Sequence, residues 1–235
     1  MRGMSVETSV GKGCQSGHHD GVMVESELVP AVDEAFVLTG RGLQQWPDPH
    51  PDRSPRDEEY SRLLDPAKWR IIGARADAWL AAIVEAGLAT VEHDVAVEWV
   101  TTPGPTITRA DRVVPLAIGA LPLVVARSRI DDVDDAGVVL GVGDPAVCVS
   151  WFPQCGCDAC DSGSRDELDH LDEHLRSIVR GAFRRLSKGR RTITVIGESG
   201  WSASGGFGRR EVDAILAHPT GWDELRGEPW LDPRR

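Results

Sequence analysis

Residues 138–152 read Val-Val-Leu-Gly-Val-Gly-Asp-Pro-Ala-Val-Cys-Val-Ser-Trp-Phe and predict a β-hairpin. Two valine-rich runs flank Gly143-Asp-Pro145, a tripeptide of turn-forming residues. Strands joined by a tight turn are antiparallel, whereas parallel strands need a long crossover connection. The hairpin therefore predicts an antiparallel sheet near the middle of the chain.

The second strand of this hairpin has two distinct faces. Side chains alternate along a strand, so Val147, Val149 and Trp151 share one side. Cys148 and Ser150 share the other side. The apolar set predicts the face that packs on the core, and this places the Trp151 indole in the core.

Patterns on both sides of the hairpin predict further elements. Alternating or β-branched runs indicate strands, and apolar residues at helical spacing indicate helices. The predicted strands are 91–99, 106–114, 121–130 and 192–196; the predicted helices are 29–39, 65–87 and 210–218, with a loop at 201–208. Strands cluster centrally and helices flank them. This order predicts an α+β fold, a mainly antiparallel sheet with helices on one face.

A long helix is predicted directly after the cysteine loop. Ser164 and Glu167 have the spacing of a capping box, in which each side chain accepts a backbone N–H at the helix start. An apolar stripe then continues to Leu186. Three basic residues crowd the predicted C-terminal end, where the helix dipole favours cations: Arg184, Arg185 and Lys188. The cysteine loop thus lies between a strand end and a long helix.

Eight tryptophans accompany a single tyrosine. Trp69, Trp79, Trp99 and Trp151 fall on the apolar faces of predicted elements, which predicts that they pack in the core. Trp201 lies among small residues and is predicted to be a surface contact.

Composition argues against two classes of partner. The formal net charge is −11, from 37 acidic and 26 basic residues. Nucleic acids and anionic membranes are bound through Lys and Arg, so we expect neither as a partner.

No apolar run reaches the roughly 18 residues of a spanning helix, and the Gly-, Ser- and His-rich start lacks a secretory segment. We predict a cytoplasmic protein with a flexible arm over 1–28 and one α+β domain over 29–235.

Three of the five cysteines lie within six residues: Cys155, Cys157 and Cys160. Thiolates at this spacing can converge on one tetrahedral zinc, and Gly156 permits the tight turn between the first two. In the predicted reducing compartment, metal binding or thiol chemistry outranks a disulfide framework. The loop therefore predicts a zinc site, for which we expect a structural role.

A fourth zinc ligand has to come from elsewhere in the chain. His174 is preferred because it lies at the edge of the apolar stripe, whereas His170 points further away. The other candidates are Cys148, Cys14 and, more weakly, Asp161.

Other functions remain open at this point. A thiol oxidoreductase would use Cys157 and Cys160, with the thiolate stabilised by a helix start. A zinc-dependent enzyme would use the three cysteines and keep water as the fourth ligand. The negative charge also suits an acidic partner-binding protein of the antitoxin or immunity type. The bland alternative is three reduced thiols in a loop.

The motif Cys155-Gly-Cys-Asp-Ala-Cys-Asp-Ser-Gly-Ser164, together with Gly141-Val-Gly-Asp-Pro145 and Ile196-Gly-Glu-Ser-Gly-Trp-Ser-Ala-Ser204, resembles an uncharacterised actinobacterial family of unknown function. The resemblance covers about residues 29–230. It implies a bacterial cytosolic protein and no particular activity, substrate or cofactor. Cys14 and Cys148 fall outside the shared motif, which counts against both as metal ligands.

Overall fold

The computed structural model describes residues 25–197 and 200–231, which form four α-helices and nine strands. The helices are α1 (Glu25–Thr39), α2 (Arg70–Glu85), α3 (Ser164–Val179) and α4 (Arg209–Ala217). The strands are β1 (Ala89–Glu92), β2 (Ile107–Pro115), β3 (Leu123–Ile130), β4 (Val133–Val142), β5 (Val147–Phe152), β6 (Phe183–Lys188), β7 (Arg191–Ile196), β8 (Gly200–Ser204) and β9 (Asp223–Arg226). Short 3₁₀ helices cover Asp57–Ser61, Pro66–Trp69 and Asp158–Cys160. Among the helices of the described residues, none has the length and apolarity needed to cross a membrane.

The strands form two antiparallel sheets, and this confirms the α+β prediction. The first sheet is a meander in the order β1-β2-β3-β4-β5, and the second has the order β8-β7-β6-β9. The sequence predicts one sheet where the structure has two, because β6 pairs with β7 and β9 instead of extending the first sheet. The α3 helix separates the two sheets along the chain. Most of the predicted arm over 1–28 lies outside the described residues.

The predicted hairpin is confirmed as β4 and β5. Val142 pairs with Val147 across the turn, and Val138 pairs with Phe152 at the open end. The first strand is longer than predicted and begins at Val133. The end of β5 is thereby fixed at the entrance of the cysteine loop.

The two faces of β5 differ from the prediction. The register against β4 shifts between Cys148 and Ser150, so Val149 is an extra residue, a β-bulge. Beyond the bulge the alternation is reversed. Ser150 is buried and Trp151 is 38% exposed, so the prediction of Trp151 as a core residue is wrong.

The α3 helix is shorter than predicted. It ends at Val179, and Gly181 follows with a φ of +71°, the left-handed conformation in which glycine ends helices. The three basic residues predicted at the helix end therefore lie in β6. The predicted capping box is also wrong. Gly163 is the N-cap residue, and the Ser164 hydroxyl bonds to the backbone of Trp46 instead.

Two other segments differ from their predicted secondary structure: a predicted strand is absent, and part of a predicted loop is a strand. After β1, Asp94 has a φ of 51° and redirects the chain, so residues 95–99 form no strand. Trp99 makes an isolated bridge to Ala146. Residues 200–204 overlap the loop predicted over 201–208, and they pair with β7 as the edge strand β8. Small side chains do not prevent a strand when its backbone pairs with a neighbour.

The main core contains residues of α1, α2, α3 and the five-stranded sheet. Trp69 and Trp79 are fully buried in it, as predicted.

An ion-pair network crosses this core. The Asp172 carboxylate accepts a hydrogen bond from Arg75 Nη2 at 2.6 Å and from Trp79 Nε1 at 2.6 Å. Arg75 also pairs with Asp33 at 2.8 Å, so the network joins α1, α2 and α3.

Candidate metal centre

The cysteine loop connects the end of β5 to the start of α3, as predicted. The sulfur atoms of Cys155, Cys157 and Cys160 all lie within 4.8 Å of one another, close enough to bind one metal ion. The first two are 3.1 Å apart, beyond the length of a disulfide bond of about 2.05 Å. Cys155 and Cys160 are exposed and Cys157 is partly buried. The triad is therefore assembled by the loop and accessible from one side.

Asp158 anchors the loop between the second and third cysteines. Its carboxylate accepts hydrogen bonds from Arg62 Nε at 2.6 Å and from the Leu64 backbone N–H at 3.2 Å. The Asp158 N–H donates in turn to the Arg62 carbonyl oxygen at 2.8 Å. Because Asp158 begins the 3₁₀ helix that carries Cys160, these bonds fix the place of the third thiol.

Asp161 anchors the loop on the other side of the third cysteine. Its buried carboxylate accepts hydrogen bonds from Trp46 Nε1 at 2.8 Å and from Lys68 Nζ at 2.5 Å. The Gly163 N–H donates to the same carboxylate at 2.9 Å. Through these contacts Asp161 supports the loop. Its carboxylate does not belong to the group of ligand atoms formed by the three thiols.

The proline-rich segment 46–55 packs against the loop. Ser164 Oγ accepts a hydrogen bond from the Trp46 N–H at 3.0 Å and donates one to the Trp46 carbonyl at 3.1 Å. Gly163 has a φ of +90°, and a Cβ at this position would lie 2.6 Å from the Asp48 backbone nitrogen. Only glycine permits this close passage of two backbone segments.

Glu59 holds this segment in its folded form. Its buried carboxylate accepts hydrogen bonds from Arg53 at 2.7 and 2.8 Å and from the Arg56 N–H at 2.7 Å. His50 Nε2 lies 3.4 Å from the same carboxylate. The hydrogen bond from Arg53, followed by that from Arg56, holds the pKa of Glu59 well below its usual range. The segment that supports the cysteine loop is therefore itself fixed by ion pairs.

The thiols of Cys157 and Cys160 differ in acidity. Burial raises the pKa of Cys157, but hydrogen bonds from the Cys155 and Cys160 thiols and from backbone N–H groups outweigh it and lower the pKa. The hydrogen bond with Cys157, helped by burial and by neighbouring charge, raises the pKa of Cys160 to about 12. Cys157 therefore loses its proton at a lower pH than Cys160. A bound cation would favour loss of the remaining protons, because metal binding is coupled to thiol deprotonation.

A cavity of about 490 Å³ opens beside the triad. Cys155 and Cys160 line it from the loop, and Glu167, His170 and His174 line it from α3. Burial raises the pKa of Glu167 to about 7, against the opposing effect of His170. Glu167 can therefore exchange a proton near neutral pH beside the thiols.

His174, the predicted fourth ligand, lies on the wall of this cavity. Its Nδ1 is 2.9 Å from the His170 carbonyl oxygen, which can only accept, so Nδ1 carries a proton. In the neutral ring Nε2 then keeps its lone pair. The ring packs edge-on against Phe152, with centroids 5.3 Å apart. The ligand atoms within 4.8 Å of one another are the three thiols, and His174 as the fourth ligand stays a prediction.

Of the two remaining cysteine candidates, Cys148 lies among the described residues and is not part of the group of three converging sulfur atoms. Cys148 packs with Trp99 in a small cluster that includes Ala110 and Val139, on the opposite face of the five-stranded sheet. Burial raises the pKa of the Cys148 thiol. Cys14 lies outside the described residues.

A second cavity, of about 330 Å³, adjoins the first. Gln154 and His174 line both cavities, so the two are neighbours along α3. Hydroxyl groups of Ser150 and Ser177 and the indole of Trp201 are among its lining. Trp201 is 38% exposed, in agreement with its predicted place on the surface.

Sequence reasoning missed Glu167 as a site residue and interpreted it as a helix cap. A signal was present, since Glu167, His170 and His174 follow one another at the i, i+3, i+7 spacing of one helix face. For the anchors Trp46 and Lys68 there was no signal, because only tertiary structure brings them to Asp161.

Comparison with known proteins gives one result. No curated protein and no solved structure matches the chain. One family model matches residues 32–233, a span that includes the cysteine loop, the cavity and all nine described strands. The protein therefore belongs to the family of unknown function DUF6226.

Proposed function

We propose that the protein binds one zinc ion through the thiolates of Cys155, Cys157 and Cys160. The observation that supports this is the convergence of three sulfur atoms within 4.8 Å. Thiolates are soft ligands that select zinc, copper(I) or iron–sulfur clusters. Iron–sulfur clusters are commonly held by four cysteines, whereas zinc accepts three protein ligands and a fourth of another kind.

The fourth coordination position separates a structural site from a reactive one. A closed site would use His174 Nε2, whose lone pair is free when Nδ1 donates to the His170 carbonyl. An open site would use a water molecule in the cavity. Two observations favour the open form: Cys155 and Cys160 are exposed on the cavity side, and His174 lies outside the 4.8 Å group.

Contacts within the protein support the position of the loop. Asp158 and Asp161 tie it to Arg62, Trp46 and Lys68 by bonds that need no metal. A metal that is required for folding usually compensates for a missing core. This also favours a site that is built first and loaded afterwards.

The test is elemental analysis of the purified protein, with thiol titration before and after addition of a chelator. We expect about one zinc per chain, and three additional reactive thiols after chelation. Cys160→Ser should lose the zinc, and Cys148→Ser is the matched control because Cys148 packs on the opposite sheet face. A wild-type protein that takes up no zinc, or a Cys160→Ser variant that retains it at full affinity, would contradict the proposal.

A thiol oxidoreductase is the second candidate, favoured by one specific contact. The Cys155 and Cys157 sulfurs are 3.1 Å apart, and Cys157 has a lowered pKa. In such a reaction the Cys157 thiolate would attack a substrate disulfide, and Cys155 would then resolve the mixed disulfide. Two electrons pass to the substrate, which leaves as two thiols. Metal-free protein equilibrated with glutathione buffers should then lose two free thiols reversibly, and Cys155→Ser should prevent this.

A further inference from the structure

We infer that the metal centre is hydrolytic, with Glu167 as the group that accepts the proton of a water molecule in the open coordination position. This inference rests on the proposed zinc site. Its substrate class is a small, uncharged or cationic molecule with an ester, amide or amidine carbon.

The geometry places an acid–base group and a metal site on one cavity. Cys155 and Cys160 line the cavity of about 490 Å³ from the loop, and Glu167 lines it from the first turns of α3. Among the described residues, no side chain or backbone group donates a hydrogen bond to the Glu167 carboxylate. A carboxylate with a structural role at a helix start normally accepts a hydrogen bond from a backbone N–H as a cap. Glu167 makes no such bond within the described part of the chain.

The protonation range of Glu167 suits proton transfer at neutral pH. Burial raises its pKa to about 7 against the opposing effect of His170, with smaller contributions from the charges of Asp166 and Asp161. Cys160 faces the same cavity from the loop. A general base works best when its pKa lies near the operating pH.

Three thiolates do not exclude catalysis. In zinc-dependent nucleobase deaminases, zinc held by two cysteines and a histidine, or by three cysteines, activates a water molecule, and a glutamate that is not a ligand moves the protons. Zinc also lowers the pKa of a bound water toward neutrality. The residues Cys155, Cys157, Cys160 and Glu167 supply the same kinds of group on an unrelated architecture.

The reaction balances with water as the second substrate. Glu167 accepts one proton from the water, and the hydroxide oxygen forms a bond to the substrate carbon. The bond from that carbon to the leaving oxygen or nitrogen then breaks. Glu167 returns the proton to the leaving group, so an ester and water yield an acid and an alcohol.

The charge of the site indicates the substrate class. Three thiolates and one Zn²⁺ carry a net charge of −1, and Asp166 and Glu167 line the same cavity. Phosphate esters and carboxylates would be repelled by this arrangement. Uncharged and cationic substrates would not.

The closing experiment uses zinc-loaded full-length protein with p-nitrophenyl acetate, an uncharged ester, and p-nitrophenyl phosphate, an anionic one. Zinc per chain is measured in the same samples. We expect zinc-dependent release of nitrophenol from the acetate, beyond the five equivalents that acetylation of the five cysteines could consume. The chelator should abolish the release and added zinc should restore it. The phosphate should not react.

Variants separate the roles of the metal and of the glutamate. Glu167→Gln should keep one zinc and lose about 100-fold or more of the rate, the usual contribution of a general base. Asp169→Asn is the matched control, since Asp169 is an exposed residue of the same helix. It should keep both zinc and rate.

The outcomes are distinguishable. A protein without zinc overturns the proposed zinc function. A zinc-loaded protein without zinc-dependent turnover of the acetate overturns the hydrolytic inference and leaves zinc binding intact. Full activity in Glu167→Gln would show that another group takes the proton.

A cobalt-substituted protein gives a readout without turnover. Its visible absorption bands should shift when imidazole is added, because imidazole can bind at an open coordination position. An unchanged spectrum would mean that His174 closes the site.

Discussion

At Gly163 the backbone of the cysteine loop passes close to the proline-rich segment. Its φ of +90° and ψ of 154° lie in a region that is essentially restricted to glycine, and an added Cβ would meet the Asp48 nitrogen at 2.6 Å. We expect Gly163→Ala to lower the free energy of unfolding by about 1–3 kcal/mol or more. Urea unfolding measures this. Gly104→Ala is the control, because nothing lies within 4 Å of its Cβ; equal effects of both variants would contradict the argument.

Glu167 should reduce the stability of the metal-free protein at neutral pH. Its pKa in the folded state is raised from 4.5 to about 7, so the folded state binds more protons than the unfolded state between these values. The protonated Glu167 carboxyl group therefore makes its full contribution to the free energy of unfolding below pH 4.5. This contribution is lost as the pH rises through 7 and the group ionises. Glu167→Gln should be more stable than the wild type at pH 8, by on the order of 1–2 kcal/mol because solvent screening reduces the effect.

The measurement for Glu167 is urea unfolding from pH 5 to pH 8 in the presence of a chelator. The difference between Glu167→Gln and the wild type should grow across this range. Asp169→Asn should show no such growth, since Asp169 is exposed. A pH-independent difference for Glu167→Gln would mean that the carboxyl group is not shifted in the folded protein.

At the scale of the elements, Asp172 is the contact that joins three helices. Its carboxylate neutralises Arg75 of α2, and Arg75 also reaches Asp33 of α1. Removal of one partner leaves a buried charge, which typically costs about 3–5 kcal/mol. We expect Asp172→Asn to lose several kcal/mol in urea unfolding, with Glu173→Gln on the exposed side of α3 as the control. A loss below about 1 kcal/mol would mean that water screens the pair.

The anchors of the cysteine loop should tune metal affinity without being ligands. Asp161 holds the loop through Trp46 and Lys68, directly after the third cysteine. Loss of such outer contacts typically lowers metal affinity by about 10–100-fold. We expect this loss in Asp161→Asn, measured by zinc competition with a chromophoric chelator. Asp57 is an exposed carboxylate in the 3₁₀ helix that follows the proline-rich segment, and Asp57→Asn should bind zinc as the wild type does.

Local signals predicted those elements whose state depends on local sequence. The turn residues between two valine-rich runs correctly predicted the β4–β5 hairpin, and apolar spacing correctly predicted α2. Errors arose where a tertiary feature overrides the pattern. The bulge at Val149 reversed the faces of β5, and Gly181 ended α3 before its apparent apolar stripe ended. Neither the bulge nor the early helix end can be recognised from the periodic spacing of apolar residues.

The candidate site was predicted only in its covalently connected part. Three cysteines within six residues had to lie near one another, so their convergence followed from the sequence. The cavity did not, because it needs α3 to cross the loop at a particular angle. The anchors come from residues roughly 90–120 positions away in the chain, such as Lys68 and Trp46 for Asp161. No local pattern carries that information.

For the whole molecule, the site lies where the two sheets meet α3. The first cavity lies at the end of the five-stranded sheet, and the second includes residues of β7 and β8 from the other sheet. Gln154 and His174 line both. A ligand larger than the first cavity would therefore extend toward Trp201. The acidic partner-binding alternative stays a prediction, for which recovery of a stoichiometric partner from native lysate is the test.

Net charge is the whole-molecule property that governs association with nucleic acids. The chain carries a formal charge of −11, and two arginines of the second sheet form ion pairs, Arg184 with Glu224 and Arg191 with Glu211. Binding to a phosphate backbone requires several unpaired Lys or Arg side chains on one face. We expect no mobility shift of duplex or single-stranded DNA with about 10 μM protein at about 50 mM salt, conditions under which non-specific binders associate. A basic DNA-binding protein is the positive control. A shift that disappears as salt increases would show that a cationic face exists and that the acidic total charge is a poor guide to the surface.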